Sequence, residues 1–342
     1  MAFNEANYKK FKGYTVPADF RPAAPTKEAR EWFYGGIILR AARGYMRFQG
    51  LDLTIEGAEN IPLNGGAMIA VNHTGYFDFV YGGIPAFLNG RRLVRFMAKQ
   101  EIFDHKIAGP LMRKMKHIPV DRAAGRGAYE EAVRRLRGGA LVGIFPEATI
   151  SRSFEIKEFK TGTTRMAHDA GVPVIPVTIF GSQRVWTKGH KKNLGRVKAP
   201  VWVRVGKPLT PGPDPVESTR ELSALMEKQL DQLKVDYIER YGDEPGAYWL
   251  PVEMGGSAPT LEEANVMDAK DRRDLPPRRL WARRGRVLTG SPPHAPSGAC
   301  LCFFFSPFRS ERHLLPATPD PHPRSLCDWR CFAVMRQGER VV

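Results

Sequence analysis

A histidine and an aspartate in the segment VNHTGYFD are the side chains of this sequence best suited to acid–base chemistry. His73 follows an apolar run, and Asp78 comes five residues later. A loop of that length lets the carboxylate bind one imidazole nitrogen, which fixes the tautomer and makes the other nitrogen a better base. No protein nucleophile accompanies the pair, so a substrate hydroxyl would have to attack. Taken alone, the pair also fits a loop histidine beside a helix-capping aspartate.

Three further segments place polar groups near predicted strand ends. FPEATIS follows the apolar run ALVGI and puts Glu147 at a turn. In MKHIPVDR, Arg122 follows a short strand and offers a bidentate cation suited to a phosphate. GVPVIPVTIFGS is an apolar strand that contains Pro173 and Pro176. Each segment by itself also has an ordinary structural interpretation as a strand end, a turn or a buried strand.

Apolar runs and amphipathic stretches alternate from residue 51 onward and would position these segments. The predicted strands are Ala67–Val71, Leu93–Ala98, His117–Val120, Leu141–Phe145, Val174–Ile179 and Val201–Val205, and the predicted helices are Phe79–Leu88, Arg126–Leu136, Lys160–Ala170 and Glu217–Arg240. This alternation predicts an α/β fold with a mixed, largely buried sheet flanked by helices. Sites in such folds gather where strands end and loops begin, which is where the four segments lie.

The chain divides into three predicted regions. Residues 1–50 form a polar, loop-rich lead followed by a basic amphipathic helix over 28–49 that could lie on a membrane surface or pack on the domain. Residues 51–250 form the main domain. Residues 251–342 are rich in proline and arginine and are predicted to be a disordered tail.

The formal net charge of +16 predicts an anionic partner, and composition alone does not choose among nucleic acid, anionic lipid headgroups and phosphorylated substrates. The four cysteines, Cys300, Cys302, Cys327 and Cys331, all lie in the tail, so thiol chemistry is not expected in the main domain. The N-terminal segment lacks the apolar stretch of a secretory signal, and no apolar run approaches the roughly 20 residues of a spanning helix. We therefore expect a cytoplasmic protein that lies peripherally on the inner face of the cell membrane.

In this order and spacing, the four segments resemble the glycerolipid acyltransferase family, of the 1-acylglycerol-3-phosphate (lysophosphatidate) type. The family's blocks NHxxxxD, xxxxxDR, FPEGTRS and VPVIPV correspond to Asn72–Asp78, His117–Arg122, Phe145–Ser151 and Val172–Val177. The phrases IEGAENIP and FMAKQEIF are also similar to the family, and the resemblance covers about residues 50–210. Four ordered blocks are a far more specific signal than any one of them.

The resemblance implies roles for particular residues. His73 would be the general base, oriented by Asp78, that deprotonates the hydroxyl of a lysophospholipid. Arg122 and the Glu147 loop would hold the phosphate end of that acceptor. The substrate-binding residues implied or suggested by position are Asn72, Arg122, Phe145, Pro146, Glu147, Thr149, Arg152 and Lys99. The acyl group would come from acyl-CoA or acyl-carrier protein as co-substrate, with no cofactor and no metal.

The third block departs from the family pattern at two positions. Ala148 stands in place of the glycine and Ile150 in place of the arginine that the family uses to grip the acceptor phosphate. Isoleucine cannot bind phosphate, so either Arg152 or Arg165 substitutes for it, or the acceptor is a different lysolipid or polar-lipid alcohol.

Other classes of function fit the sequence less well. A serine hydrolase would need a Gly-x-Ser-x-Gly elbow, which Ser151 and Ser153 do not provide. The tail cysteines have atypical spacing for zinc. The arginine-rich stretch RRLWARRGRV lacks a nucleic-acid fold signature, so we expect no nucleic-acid partner. A non-catalytic lipid-binding module on the same fold remains the alternative from outside the enzymes.

Overall fold

The computed structural model describes residues 4–121 and 125–273 of the 342-residue chain. These residues belong to one compact unit, Met1–Cys302, and the other unit, Phe303–Val342, lies outside the described residues. Also outside them are the part of the predicted disordered tail beyond residue 273, its four cysteines and its arginine-rich stretch.

Within the described residues, one mixed sheet forms the centre of the fold. Its strands are β1 (Tyr8–Phe11), β2 (Tyr14–Pro17), β3 (Asp52–Glu56), β4 (Ala67–Val71), β5 (Val94–Lys99), β6 (Ile118–Val120), β7 (Leu141–Ile144), β8 (Val174–Phe180) and β9 (Pro200–Val205). They lie in the order β1-β2-β3-β9-β8-β4-β7-β5-β6. Neighbours are parallel except for β1 with β2 and β8 with β9. The predicted fold class is confirmed.

Helices cover both faces of this sheet. They are α1 (Leu39–Gln49), α2 (Asp78–Leu88), α3 (Gln100–Asp104), α4 (Ala108–Lys114), α5 (Gly125–Arg137), α6 (Gly162–Ala170), α7 (Pro215–Tyr241) and α8 (Leu261–Arg273). The longest, α7, begins with proline at its first position, and the Asp214 carboxylate caps it by accepting from Val216 N at 2.8 Å. None of the helices in the described ranges is long and apolar enough to cross a bilayer.

Strand β4 shows how the core is divided between the two faces. Successive side chains of a strand point to opposite faces. Ile69 and Val71 accordingly join the apolar cluster that contains Tyr81 of α2, whereas Met68 and Ala70 join the cluster formed by α5, α6 and α7. All five residues of β4 are buried, which explains its uninterrupted apolar sequence. The carboxyl end of β4, where the polar residues begin, lies in the middle of the sheet.

The N-terminal segment differs from its prediction as a loop-rich lead. Residues 8–17 form the hairpin of β1 and β2, and Thr15 of β2 pairs with Thr54 of β3, so the segment extends the sheet. Tyr14 and Val16 are buried. The prediction was wrong because each strand is only four residues long and β1 carries two lysines, so the apolar alternation is too brief to recognise.

The segment predicted as a basic helix over 28–49 is helical but not uniformly so. A 3₁₀ turn at Lys27–Arg30 is followed by a π-helical stretch, Trp32–Ile38, and then by α1. The apolar side chains Trp32, Ile37 and Phe48 are exposed by 65%, 51% and 57%. The amphipathic character expected from the sequence is therefore present on the surface of the described structure.

The folded chain does not end at residue 250, where the disordered tail was predicted to begin. Pro251 forms a bridge with Ala258, and α8 follows with Ala264 and Asp268 buried. The boundary was wrong because α8 has few apolar residues facing the core. Its attachment depends on ion pairs with distant residues, which a local sequence pattern cannot indicate.

Candidate active site

The loop after β4 begins with an amide that clamps two central strands together. Asn72 Nδ2 donates to the Ile179 carbonyl at 3.0 Å, and Ile179 N donates to Asn72 Oδ1 at 2.7 Å. Because both bonds are buried, they fix the point at which the chain leaves β4 relative to β8. Asn72 therefore positions the residue that follows it, which is His73.

Asp78, the first residue of α2, is buried and accepts four hydrogen bonds. Its Oδ2 accepts from His73 Nδ1 at 3.0 Å and from the backbone N–H groups of Thr74 and Gly75, both at 2.7 Å. Its Oδ1 accepts from Ser182 Oγ at 2.5 Å. Since Oδ2 already serves as an acceptor of backbone donors, Nδ1 of His73 must carry the proton in this contact. This tautomer leaves the lone pair of Nε2 as the basic site.

The plane of the His73 ring is held by an aromatic stack. Phe145, at the end of β7, lies with its ring centroid 4.0 Å from the imidazole centroid at an interplanar angle of 17°. Phe96 of β5 stacks behind Phe145 at 5.8 Å. The His73 side chain is 18% exposed, so the imidazole is fixed on one side and still reachable by a substrate.

Glu147 connects the His73 loop to the segment that follows β7. Its Oε1 accepts from His73 N at 2.9 Å, and its Oε2 accepts from Lys157 N at 3.3 Å. Burial raises the pKa of the Glu147 carboxyl to about 8, although the hydrogen bonds from His73 and Lys157 act in the opposite direction. Both oxygens face backbone donors of the protein, so the carboxyl organises the two segments around His73.

The two departures from the family pattern have clear structural consequences. Ala148 adopts a positive φ of 58°, a conformation that favours glycine. Ile150 is 6% exposed and packs into the protein. The next residue, Ser151, donates its N–H to the His73 carbonyl at 2.7 Å, so the segment still supports the His73 loop.

The remaining predicted binding residues differ in their contacts and exposure. Thr149 Oγ1 accepts from Lys157 Nζ at 3.1 Å, and Pro146 is buried, its carbonyl accepting from Lys160 N at 3.0 Å. Lys99 is the exposed last residue of β5, opposite Val120 of β6. Arg122 lies outside the described residues. The binding roles of these residues stay predictions.

The two arginines considered as replacements for the missing one are placed differently. Arg165 lies on α6, exposed, with its guanidinium over the Tyr129 ring at 5.5 Å. Arg152 instead forms ion pairs with Asp268 at 3.3 Å and Asp271 at 2.7 Å of α8. Arg152 directly follows Ser151, whose N–H donates to the His73 carbonyl. Of the two arginines, it is therefore the one that belongs to the segment supporting the His73 loop.

Sequence reasoning missed several residues that support the site. Ser182 binds Asp78 and also lies 3.0 Å from Thr74 Oγ1, and Thr187 Oγ1 donates to the Thr74 carbonyl at 2.7 Å. Ser182 lies two residues after the end of the apolar strand β8 in the sequence GVPVIPVTIFGS, so its position near a strand end was a usable signal. In residues 4–121 and 125–273, no group of three or more His, Cys, Asp or Glu side chains could hold a metal ion.

Comparisons with known proteins find similarity to acyltransferases over the part of the chain that holds the four segments. A family model described as Acyltransferase matches residues 52–180. A 1-acyl-sn-glycerol-3-phosphate acyltransferase of Bacillus subtilis is 28% identical over 178 residues, which is 51% of this chain and 82% of that protein. A protein of the same name from Borreliella burgdorferi is 28% identical over 43% of this chain and 58% of its own length. The chloroplastic enzyme of that name from Arabidopsis thaliana is 30% identical over 46% and 43%.

Among solved structures, the 1-acyl-sn-glycerophosphate (LPA) acyltransferase PlsC of Thermotoga maritima is 25% identical, with a TM-score of 0.49 over 61% of this chain and 83% of that one. The chain thus spans most of the Bacillus protein and about half of the Borreliella and Arabidopsis proteins. The family model covers all four segments, from Asn72–Asp78 to Val172–Val177. The chain is therefore similar to acyltransferases over the part that holds the His73 loop.

Proposed function

We propose that this protein transfers a fatty acyl chain from a thioester, acyl-CoA or acyl-carrier protein, to the hydroxyl of a lysophospholipid. The acceptor we favour is 1-acylglycerol-3-phosphate, which would become phosphatidate. The observation that carries the proposal is the contact between His73 Nδ1 and Asp78 Oδ2 at 3.0 Å, with the imidazole partly exposed. The names of the Bacillus, Borreliella and Arabidopsis relatives support this choice of acceptor.

His73 would act as the general base. Its Nε2 takes the proton from the acceptor hydroxyl while the oxygen attacks the thioester carbonyl, and a tetrahedral oxyanion forms. The C–S bond then breaks, and the imidazolium returns the proton to the departing thiolate. Asp78 holds the ring through Nδ1 and stabilises the imidazolium, a role that its buried, four-fold hydrogen-bonded carboxylate suits.

The acceptor would lie where the loops after β4 and β7 meet. Phe145 fixes the imidazole plane, and Glu147 ties the backbone of His73 to that of Lys157. With Ile150 buried, the phosphate of the acceptor would have to be bound by another cation. That departure is also the reason to keep a different lysolipid or polar-lipid acceptor as the second candidate.

The surface formed by Trp32, Ile37 and Phe48 would rest on an anionic membrane. These side chains are more than half exposed, and Arg40 and Arg47 are exposed on the same helical stretch. Aromatic and aliphatic groups flanked by arginines are typical of helices that lie in a membrane interface. As part of the same proposal, the protein works peripherally on the inner, cytoplasmic face of the membrane, where it meets a lipid acceptor and a water-soluble donor.

A transfer assay on vesicles tests the proposal. Anionic phospholipid vesicles would contain 1-acylglycerol-3-phosphate, other lysophospholipids or monoacylglycerol, and radiolabelled long-chain acyl-CoA or acyl-carrier protein would be supplied in solution. We expect labelled phosphatidate from 1-acylglycerol-3-phosphate. Transfer only to another acceptor would support the second candidate. Vesicle binding by correctly folded protein without transfer to any acceptor would contradict the enzyme and indicate a lipid-binding module.

A further inference from the structure

Three cations converge on two aspartates of α8 and form what we term the cation cluster: Arg152, Lys157 and Lys188. Lys188 Nζ lies 2.6 Å from Asp268 Oδ1 and 2.8 Å from Asp271 Oδ2. Lys157 also binds Asp268, and Arg152 binds both aspartates. Burial acts to raise the pKa of the Asp268 carboxyl, but the hydrogen bonds from Lys157 and Lys188 outweigh it and hold that pKa below its usual range.

The cation cluster is joined to the proposed site by hydrogen bonds of the backbone and side chains. Lys157 N donates to the same Glu147 carboxyl that accepts from His73 N. Lys188 directly follows Thr187, whose hydroxyl donates to the Thr74 carbonyl at 2.7 Å. Both segments that supply the cations are therefore tied to the loop that carries the base.

Three partly buried positive charges repel each other, so the cation cluster needs an anion to neutralise it. The side chains of Arg152 and Lys157 are only 12% and 11% exposed. In the structure the anions come from α8, a helix with little other attachment. Its buried residues among those described are Ala264 and Asp268, whereas Val266 and Met267 are exposed. A helix held mainly by ion pairs is open to competition from another anion.

A phosphate monoester matches this cluster in charge and in number of acceptor atoms. It carries about 1.5 to 2 negative charges near neutral pH and three acceptor oxygens, and the two carboxylates of Asp268 and Asp271 supply a comparable charge. Ile150 stands where the family pattern has a phosphate-binding arginine, and its buried side chain cannot bind phosphate. The acceptor site proposed above therefore needs another cation. We propose that Arg152, Lys157 and Lys188 bind the phosphate monoester of the acceptor, and that Asp268 and Asp271 of α8 occupy this subsite until the acceptor displaces them. This inference rests on the proposed function.

The test uses binding rather than turnover. Full-length protein is titrated calorimetrically with glycerol 3-phosphate, a soluble phosphate monoester, and with glycerol. Hydrogen exchange of residues 261–273 is followed in the same samples. We expect binding of glycerol 3-phosphate but not glycerol, together with faster exchange in α8. Lys188→Gln should weaken binding by roughly tenfold, since it removes a charge-assisted contact, and Asp271→Asn should strengthen it several-fold.

Matched controls lie on the same elements. Lys191→Gln changes an exposed lysine of the loop that carries Lys188, and Glu262→Gln changes an exposed acid of α8; neither should alter binding. Equal affinity in wild type and Lys188→Gln, weaker binding in Asp271→Asn, no binding at all, or unchanged exchange in α8 would each overturn the inference. The transfer assay on the same preparations reports separately on the proposed function, because binding to the cluster does not require His73.

Discussion

The His73–Asp78 pair and the cation cluster are neighbours, yet they are built in different ways. The pair is held by short hydrogen bonds inside one loop, with Thr74 and Gly75 N–H groups at 2.7 Å from the carboxylate. The cation cluster is held by ion pairs to α8, whose aspartates lie 80 to 119 residues further along the chain. The first arrangement is rigid before substrate arrives, whereas the second already contains an anion that a substrate would have to replace.

This difference suggests a division of labour between chemistry and recognition. A base must be oriented in advance, because misplacing it lowers the rate of proton transfer. A phosphate subsite can instead be filled by a side chain of the protein and opened by the ligand. Glu147 is the link, since its two oxygens accept from the backbone of His73 and of Lys157. Substitutions in each region should accordingly change different measured quantities.

Replacing Asp78 should slow acyl transfer strongly and leave phosphate binding at the cation cluster unchanged. The Asp78 carboxylate accepts four hydrogen bonds, and Asp78→Asn replaces one of its two acceptor oxygens with an NH₂ donor. The His73 ring should therefore lose its fixed orientation. We expect the transfer rate to fall within the range of about 10²–10⁴ that a positioned base contributes, with glycerol 3-phosphate binding retained. Asp243→Asn, at an exposed position, is the control. Rates within a few-fold of wild type would contradict the role of Asp78.

Glu147, which links the two regions, should make stability depend on pH. The unfolded chain releases the Glu147 proton near 4.5, whereas the folded protein retains it up to about 8. The free energy of unfolding should therefore fall as pH rises between these values, with a limiting slope of about 1.4 kcal/mol per pH unit. Urea denaturation across this range would measure it. Glu147→Gln should remove this component of the slope and exposed Glu158→Gln should not; equal slopes in all three proteins would refute the assignment.

Ser182 tests whether the pair depends on a residue outside its own loop. Ser182→Ala removes the hydroxyl that donates to Asp78 Oδ1. The loss of one hydrogen bond to a charged group should lower the transfer rate by roughly tenfold, measured as kcat on vesicles. Ser218→Ala, which removes a buried serine hydroxyl that accepts from Gly212 N, should cost similar stability without slowing transfer. An equal rate loss in both variants would assign Ser182 a merely structural role.

The smallest effect concerns the backbone between the two regions. Ala148 has a φ of 58°, a backbone conformation that is strained for a residue with a Cβ atom and unstrained for glycine. Ala148→Gly should stabilise the protein by about 0.5–1 kcal/mol, the released strain exceeding the greater flexibility of the unfolded chain. Ala41→Gly on the exposed face of α1 should have the opposite sign, at about 1 kcal/mol. Urea unfolding would decide, and destabilisation by Ala148→Gly would show that the turn is unstrained.

The two regions also differ in how well the sequence predicted them. Strand β4 was predicted with its observed limits, because five buried residues leave an uninterrupted apolar run, and the His73–Asp78 contact was predicted because both partners lie in one loop. The β1–β2 hairpin was not predicted because its strands are only four residues long, and α8 was not predicted because few of its apolar residues face the core. The ion pairs of Asp268 with Lys157 and Lys188 depend on the tertiary fold, which no spacing in the sequence indicates.

His73→Ala is the decisive variant, because it removes the imidazole that we propose as the base of the acyl transfer. The measurement is the initial rate of labelled acyl transfer from acyl-CoA to 1-acylglycerol-3-phosphate on anionic vesicles, with the melting temperature of each variant recorded. His168→Ala removes another imidazole, which lies on α6 near the Pro211 carbonyl, and is the control. We expect a rate loss of about 10²–10⁴-fold for His73→Ala and none for His168→Ala. A folded His73→Ala protein that transfers acyl groups at the wild-type rate would contradict it.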